Sequence, residues 1–353
     1  MMNKTKIYLQ YPWKFPDSPY YKSLIENPPR EIEYLNTKKV KGGATSSLHK
    51  FLFSNFIKKY IRFALRILKN NSPNTHLTKS TEEYDLIHCA HCLSKNKDKP
   101  WVADMEAFFS MQLADVSTKK GNKNILKLLL KDNCKKIMPW TEYTKKQILE
   151  AFPEIINKLE VVYPAIPEIK NLNKPKNNKL KIIYVARYFN LKGGPIALEV
   201  LEELRKKYNI EGIIISDVPE YLKKEYPFLK IYNLLPQKEL FELMQNSDIF
   251  FYPSPVDTFG FSLLEAMSFG LPIVTLNAKQ TECRREIVEE GKTGFVIEGL
   301  DTKELIKYCS VLIENENIRK MMSKNCLREI KEGKFSIKER NKKLEKIYRE
   351  ATQ

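Results

Sequence analysis

Two carboxylates eight positions apart, Asp257 and Glu265, are the residues of this chain whose types and spacing best suit ligand chemistry. They lie in a mostly apolar segment at 250–275, which reads Phe-Phe-Tyr-Pro-Ser-Pro-Val-Asp-Thr-Phe-Gly-Phe-Ser-Leu-Leu-Glu-Ala-Met-Ser-Phe-Gly-Leu-Pro-Ile-Val-Thr. Its pattern predicts a buried strand, a loop that contains Asp257 and Gly260, a short helix that carries Glu265, and a second buried strand. Because leucine and methionine side chains require burial beside Glu265, we expect that carboxylate at a cleft.

A second candidate site follows the strand predicted at 181–186. Arg187 and Lys192 lie in the loop after this strand, and Gly193 and Gly194 precede the next predicted helix. Ligands of open α/β sheets bind at the carboxyl ends of strands, and a guanidinium and an ammonium there can hold a diphosphate. The glycines allow backbone N–H groups to approach, and the helix start adds partial positive charge. The alternative is an ordinary strand–turn–helix with surface cations.

These two segments resemble the retaining GT-B glycosyltransferases of the "group 1" family. In that family, two acids eight positions apart precede an Ala-Met-x-x-Gly-x-Pro-hydrophobic run, and Asp257 stands where the family usually has Glu. The family also carries an arginine and a lysine at the spacing of Arg187 and Lys192, with glycine after the lysine, to hold the donor diphosphate. The resemblance covers 181 to about 297. It implies an α/β fold of two Rossmann-like, doubly wound parallel-sheet domains that face a central cleft.

The resemblance also implies a chemistry, which is retaining transfer from a nucleoside-diphosphate sugar. Cations at the diphosphate stabilise the leaving group and can replace a divalent metal, so neither a metal nor another cofactor is expected. Asp257 would accept hydrogen bonds from sugar hydroxyls or steady positive charge near the anomeric carbon, and Glu265 would accept from the ribose. Backbone N–H groups at the helix start would also bind the donor, namely those of Phe259, Gly260 and Phe261.

Strands and helices alternate along the chain, which predicts two parallel-sheet units. The strands of the first series are predicted at 6–10, 31–35, 84–89, 101–104, 135–138 and 159–163. Those of the second series are predicted at 181–186, 212–216, 231–233, 249–252, 273–276 and 294–297. The domains are therefore predicted as an acceptor-side domain at 1–164, a Pro/Asn/Lys linker at 165–178, a nucleotide-sugar domain at 179–335, and a final helix at 336–353. By resemblance, that helix crosses back to the N-terminal domain.

The acceptor side is less clearly marked. The family usually has a histidine near the position of Asp104, so we predict that Asp104 or Glu106 takes the acceptor-side role, as a general base or by positioning a hydroxyl. His88, at the end of the strand at 84–89, is a further candidate, and the alternative for such strand-end residues is helix capping. The glycine pair Gly42 and Gly43 either approaches the donor phosphates or forms a simple loop.

The run His-Cys-Ala-His-Cys at 88–92 contains four potential ligands for a soft metal. A structural zinc site normally has two separated ligand pairs, and the sequence contains no second pair. We therefore predict buried thiols rather than a metal or redox site. Six scattered cysteines suit a reducing cytoplasm better than a disulfide framework.

The net charge of +17 suggests an anionic membrane, nucleic acid or phosphorylated substrate as a partner, or simply lysine-covered surfaces. The segment 48–69 forms a basic amphipathic pattern, which suits either an anionic lipid surface or packing on a sheet, with Phe51 and Ile61 as lipid contacts in the first case. No basic motif with interleaved aromatics appears, so nucleic acid is not expected as a partner.

At 353 residues, with 42% hydrophobic residues, the chain can form two domains with full cores. It shows neither a signal peptide nor a transmembrane span, so we expect a cytoplasmic protein, peripheral on the inner face of the membrane. The predicted function is a retaining, metal-independent hexosyltransferase that acts on a lipid-linked or polysaccharide acceptor. The alternatives are a GT-B-like protein with another activity, such as a phosphorylase or epimerase, and a charge-driven nucleic-acid binder.

Overall fold

The computed structural model describes residues 4–11, 19–37, 72–113, 119–169, 178–278 and 281–353, together with residues 60, 63 and 172. The chain divides into two compact units. The first unit combines Met1–Pro164 with Lys338–Gln353, and the second is Ala165–Ile337. No helix in the described ranges is long and apolar enough to cross a membrane.

The first unit is built around a parallel sheet of five strands in the order β2-β1-β4-β6-β7. Two shorter strands, β3 and β5, pair separately. The strands are β1 Thr5–Gln10, β2 Ile32–Leu35, β3 Thr75–His76, β4 Leu86–Ala90, β5 Leu93–Ser94, β6 Trp101–Met105 and β7 Cys134–Pro139. The helices are α1 Pro19–Glu26, α2 Lys119–Leu129 and α3 Glu142–Ala151, with 3-10 turns at Phe108–Met111 and Pro153–Lys158.

Burial explains why the central strands of this unit form a parallel sheet. Every residue of β4 and β6 is buried, as expected for strands covered on both faces. The last helix of the chain, Ile337–Thr352, covers part of this unit and buries Leu344, Ile347 and Tyr348. Its Arg340, also buried, donates to Ser23 Oγ at 2.9 Å and to the Asn27 carbonyl at 2.6 Å. The end of the chain is thereby tied to α1.

The second unit contains a parallel sheet of six strands in the order β10-β9-β8-β11-β12-β13. These strands are β8 Leu180–Val185, β9 Ile210–Ile215, β10 Lys230–Tyr232, β11 Ile249–Tyr252, β12 Ile273–Asn277 and β13 Gly294–Glu298. The helices are α4 Gly194–Lys207, α5 Glu220–Glu225, α6 Gln237–Gln245, α7 Phe261–Ser268, α8 Arg284–Ile287, α9 Thr302–Glu314 and α10 Glu316–Lys331; the chain-end helix Ile337–Thr352 is α11. The strand order reverses between β8 and β11. The loops that follow these two strands therefore border the crevice where such sheets bind ligands.

The predicted strands match the structure with one exception, the strand at 159–163. There the chain makes a single bridge, between Ile137 and Leu159, and two further backbone hydrogen bonds to β7. Prolines at 139 and 164 remove N–H donors, so the pairing does not extend into a strand. The predicted strand is therefore wrong. Neither α1 nor the short β3–β5 pair was predicted from the sequence.

Two predicted features lie outside the described residues. They are the glycine pair Gly42 and Gly43 and nearly all of the basic segment 48–69, including Phe51 and Ile61. Within that segment the structure describes Tyr60 and Phe63 alone, as helical residues with exposed fractions of 60% and 62%.

Candidate active site

The loops after β8 and β11 touch through a glycine. Gly193 has a φ of +79°, and a Cβ atom there would lie 2.0 Å from the carbonyl oxygen of Pro253. Any larger residue would therefore push the two loops apart. The backbone of the neighbouring Lys192 is fixed by a hydrogen bond, which the Tyr184 hydroxyl of β8 donates to the Lys192 carbonyl at 3.1 Å. Glycine at 193 thus brings Lys192 against the loop that carries Asp257.

Asp257 lies at the centre of a compact charged cluster. Its Oδ1 is 3.0 Å from Lys192 Nζ, and its Oδ2 is 3.3 Å from Arg284 Nη2. Tyr252, the last residue of β11, donates its hydroxyl to Oδ2 at 2.7 Å. Lys192 also donates to the Val256 carbonyl at 2.7 Å. The predicted residues Lys192 and Asp257 are therefore in direct contact, with a second cation beside them.

The charges of this cluster keep Asp257 ionised. Burial raises the pKa of the Asp257 carboxyl, but the Arg284 and Lys192 charges and the Tyr252 hydroxyl outweigh it and hold that pKa below its usual value. One carboxylate therefore faces two cations, which leaves an excess of positive charge at the carboxyl end of the sheet. An anion such as a diphosphate suits that excess.

Arg284 was not predicted from the sequence. This arginine begins the short helix α8 and is fully buried, with its guanidinium 4.8 Å from the centre of the Tyr252 ring. Its position in the sequence, between Cys283 and Arg285 in a charged run, resembles that of a surface residue. Cys283, which caps α8, and Ile287 are also buried, so this helix has an inward face. A helix of four residues is too short for sequence periodicity to reveal that face.

The start of α7 is shaped by the same contacts. Gly260 caps this helix with a φ of +88°, and a Cβ atom there would lie 2.8 Å from Arg284 Nη1 and 3.1 Å from Asp257 Oδ2. A side chain at 260 would therefore collide with the charged cluster. Phe259 is buried and Phe261 is the first helical residue, so the three predicted backbone donors lie at the helix start. Their contact with a donor stays a prediction.

Glu265 and Arg187 form the second pair of predicted donor residues. Glu265 is half-buried on α7, and Arg187 is exposed in the loop after β8. Burial raises the pKa of Glu265 to about 7, and the Arg187 charge partly offsets that rise. A carboxyl with this pKa exchanges its proton near neutral pH, as groups in ligand sites often do.

Glu265→Gln is expected to stabilise the unliganded protein above neutral pH. The folded-state pKa of Glu265 is about 7 and the unfolded value about 4.5, so its contribution is most favourable below pH 4.5 and is lost as the pH rises through 7. Glutamine does not titrate, so its advantage should be about 2–3 kcal/mol at pH 8 and fall to about 1 kcal/mol or less at pH 5. Denaturant unfolding at both pH values measures this. A stability gain that is equal at pH 5 and pH 8 would refute the raised pKa.

In the first unit, Asp104 lies in a buried network at the end of β6. Its Oδ2 is 3.0 Å from His88 Nε2, and its Oδ1 accepts from Tyr21 at 3.1 Å and from the backbone N–H of His91 at 3.2 Å. Burial raises the pKa of Asp104, but His91 and His88 outweigh it and hold that pKa below its usual value. His88 Nδ1 is 2.7 Å from the Tyr348 hydroxyl of α11. With Asp104 ionised, the contact from His88 Nε2 is a donated hydrogen bond.

Two of the predicted acceptor-side residues are buried. Asp104 is 1% exposed and His88 is fully buried, so neither side chain is accessible to an acceptor. Glu106 remains accessible, with 29% of its side chain exposed and its Oε2 3.9 Å from His91 Nε2. His91 has a φ of 49°, a left-handed value for a non-glycine residue. Asp104 and His88 therefore lie inside the network, whereas Glu106 lies at its accessible edge beside His91.

The cysteines of the 88–92 run lie in the core. Cys89 and Cys92 are free thiols with no exposed surface, and burial raises the pKa of Cys92 well above its usual value. Across the residues that the structure describes, no group of three or more His, Cys, Asp or Glu side chains is arranged to hold a metal ion.

Comparison with known proteins shows that most of the second unit matches a protein-family model. Residues 165–328 match the family model described as "Glycosyl transferases group 1". An uncharacterized glycosyltransferase from Haemophilus influenzae is 30% identical over 204 residues, which cover 56% of this chain and 57% of that protein. The UDP-Gal:alpha-D-GlcNAc-diphosphoundecaprenol alpha-1,3-galactosyltransferase of Escherichia coli is 32% identical over 127 residues, 36% of this chain and 30% of that protein. The match thus spans about half, or less, of each relative.

The fold has close counterparts among solved structures. Anabaena Alr3699/HepE, crystallised with UDP, superposes with a TM-score of 0.67 at 15% identity and covers 98% of this chain and 99% of that one. At such low identity the likeness shows the fold alone. That fold is GT-B, and the predicted α/β architecture of two parallel-sheet domains is confirmed.

Proposed function

We propose that this protein is a retaining hexosyltransferase, because residues 165–328 match the family model of the group 1 glycosyl transferases and the fold is GT-B. It moves a sugar from a nucleoside-diphosphate sugar to a hydroxyl of a lipid-linked or polysaccharide acceptor. The observation that carries this proposal is the cluster of Lys192, Arg284 and Asp257 at the reversal of strand order in the second unit. Excess positive charge at that position suits the diphosphate of a donor.

The donor-side residues take separate roles in this proposal. Lys192 and Arg187 bind the diphosphate and stabilise the charge that develops on the leaving group as the anomeric C–O bond breaks. Glu265 accepts hydrogen bonds from the ribose hydroxyls in its ionised form. Asp257 accepts from the transferred sugar, whose anomeric carbon gains positive charge in the transition state. The carboxylate is suited to this because its neighbours keep it ionised.

On the acceptor side, Glu106 is the proposed contact for the incoming hydroxyl. Its carboxylate is accessible, whereas Asp104 acts through His91 by fixing the backbone and ring of that histidine. Glu106 can position the hydroxyl or accept its proton. A Glu106→Gln variant that keeps full turnover with saturating acceptor would exclude this role.

The proposed acceptor class follows from relatives. One is a capsular polysaccharide biosynthesis glycosyltransferase of Staphylococcus aureus, and another acts on a diphosphoundecaprenol-linked sugar. We also propose that the nucleotide is UDP, because the second relative is named for a UDP-Gal donor and Anabaena HepE was crystallised with UDP.

We further propose that the protein is cytoplasmic and binds the membrane surface through residues 48–69. Cosedimentation with anionic and with neutral vesicles tests that last point.

Arg187→Ala and Lys192→Ala are each expected to weaken UDP binding, because each removes a charge-assisted contact with the diphosphate. The loss should be about 1.5–3 kcal/mol, or roughly 10- to 150-fold in Kd. Isothermal titration calorimetry measures it, with Lys324→Ala, an exposed lysine on α10, as the control. Unchanged affinity in both variants contradicts the donor site. No binding of UDP, GDP or ADP by the wild-type protein, together with tight salt-dependent binding to nucleic acid, favours the alternative class.

Transfer is expected to persist in excess EDTA, because Arg187 and Lys192 already neutralise the leaving diphosphate. Release of UDP from UDP-glucose and UDP-galactose, assayed with and without EDTA, measures this. A complete loss of turnover that Mg²⁺ or Mn²⁺ restores would show that a metal, and not these side chains, serves the leaving group.

A further inference from the structure

Within the part of the chain that the structure describes, the Lys192 ammonium has one anionic partner, Asp257, and would need to bind a second anion, the donor diphosphate. Its ammonium lies 3.0 Å from Asp257 Oδ1 and donates to the Val256 carbonyl at 2.7 Å. A diphosphate that binds Lys192 must compete with the carboxylate for the same charge. The strength of the resting Lys192–Asp257 pair therefore sets part of the free energy of donor binding.

The two oxygens of Asp257 are held by different partners. Oδ1 faces Lys192 and the backbone N–H of Thr258, whereas Oδ2 accepts from Tyr252 and from Arg284. If Lys192 moves to a diphosphate, the Oδ2 contacts keep the carboxylate in place. Oδ1 then becomes available to a hydroxyl of the transferred sugar.

Arg284 is well suited to act as the permanent counter-ion of Asp257. Its side chain is fully buried, and an arginine cannot lose its proton to relieve that burial. Among the residues that the structure describes, its Nε and Nη1 have no hydrogen-bond partner. No other acceptor at these two nitrogens therefore competes with Asp257 for the Arg284 guanidinium in this part of the structure. Burial strengthens the attraction between the two charges.

We propose that Arg284 is a positioning residue that neutralises Asp257 and so releases Lys192 to the donor diphosphate. The proposal rests on the nucleotide-sugar site proposed above and identifies what regulates its affinity. With Arg284 present, the carboxylate is satisfied by a fixed cation and holds Lys192 less tightly. Without Arg284, Lys192 is the one remaining cation in the described contacts of Asp257, and the diphosphate must break a stronger pair.

A double-mutant cycle tests this. The Kd of UDP is measured by calorimetry for the wild type, Arg284→Met, Asp257→Asn and the double variant, with pyrophosphate as a probe independent of the base. Arg284→Met is expected to raise the Kd roughly 3- to 30-fold in the presence of Asp257, and by less than twofold in the Asp257→Asn background. Arg285→Met, which removes an exposed arginine paired with Glu298, is the matched control and should leave the Kd unchanged.

The outcomes separate the alternatives. An equal loss of affinity in both backgrounds means that Arg284 contacts the phosphate itself, and overturns the positioning role. Equal Kd values for the wild type and Arg284→Met overturn it as well, while the donor site stands. Failure of the wild type to bind either probe overturns the proposed function together with this inference. If Arg284→Met does not fold, Arg284→Gln, which keeps one amide donor, takes its place in the cycle.

Discussion

Asp257→Asn is expected to lower kcat by about 10²- to 10³-fold while UDP binds at least as tightly as to the wild-type protein. The carboxylate interacts most strongly when the sugar gains positive charge, so its loss affects the transition state more than the bound donor. UDP has no sugar at this position, and it meets a Lys192 that no longer pairs with an anion. Turnover and nucleotide affinity should therefore change in opposite directions.

Turnover of UDP-glucose or UDP-galactose, measured with saturating donor, and calorimetry with UDP give the two quantities. Glu282→Gln removes an exposed carboxylate near α8 and serves as the control. Asp257→Glu, which restores the residue usual in the family, tests whether the shorter side chain is matched to Lys192 and Arg284. Full turnover of a folded Asp257→Asn protein would mean that this acid is structural and would falsify the proposed mechanism for it.

The second large effect is expected on stability. Asp104→Asn should lower the free energy of unfolding by about 3–5 kcal/mol, because it removes one partner from a buried charged network. The asparagine amide presents N–H groups where Tyr21, His88 and the His91 backbone all present donors. At least one of those donors is then left buried without an acceptor.

Urea unfolding at pH 7 measures this loss, and Asp98→Asn, which changes an exposed carboxylate in the same unit, is the control. The pKa of Asp104 is lowered in the folded protein. Its contribution is therefore present above the ordinary aspartate pKa of about 3.9 and is lost as the pH falls through the lower folded value. The difference between the two proteins should accordingly shrink in strong acid. If the difference in unfolding free energy between the two proteins stays constant with pH, the destabilisation comes from altered packing and not from the lost charge of Asp104.

Much of the second unit could be predicted from sequence because its signals are local. Runs such as Ile249–Tyr252 and Ile273–Asn277 are short, apolar and bounded by glycine or proline, which is sufficient to locate buried parallel strands. The two parallel-sheet units followed from the alternation of such runs with helical segments, the GT-B class followed from the family resemblance, and the comparison with solved structures confirms both. The run at 159–163 has the same local pattern and failed, because two prolines limit its pairing with a neighbouring strand.

The chain sequence by itself determined which polar residues follow strands, and therefore which could reach the carboxyl edge of each sheet. The tertiary structure alone decided how their charges combine. Arg284 meets Asp257 because β12 and α8 return the chain to the loop after β11, and His88 meets Tyr348 because the last helix packs on the first unit. Periodicity reports which face of an element is buried, but the pairing of buried charges depends on contacts between residues far apart in the chain. Local sequence patterns therefore do not predict those contacts.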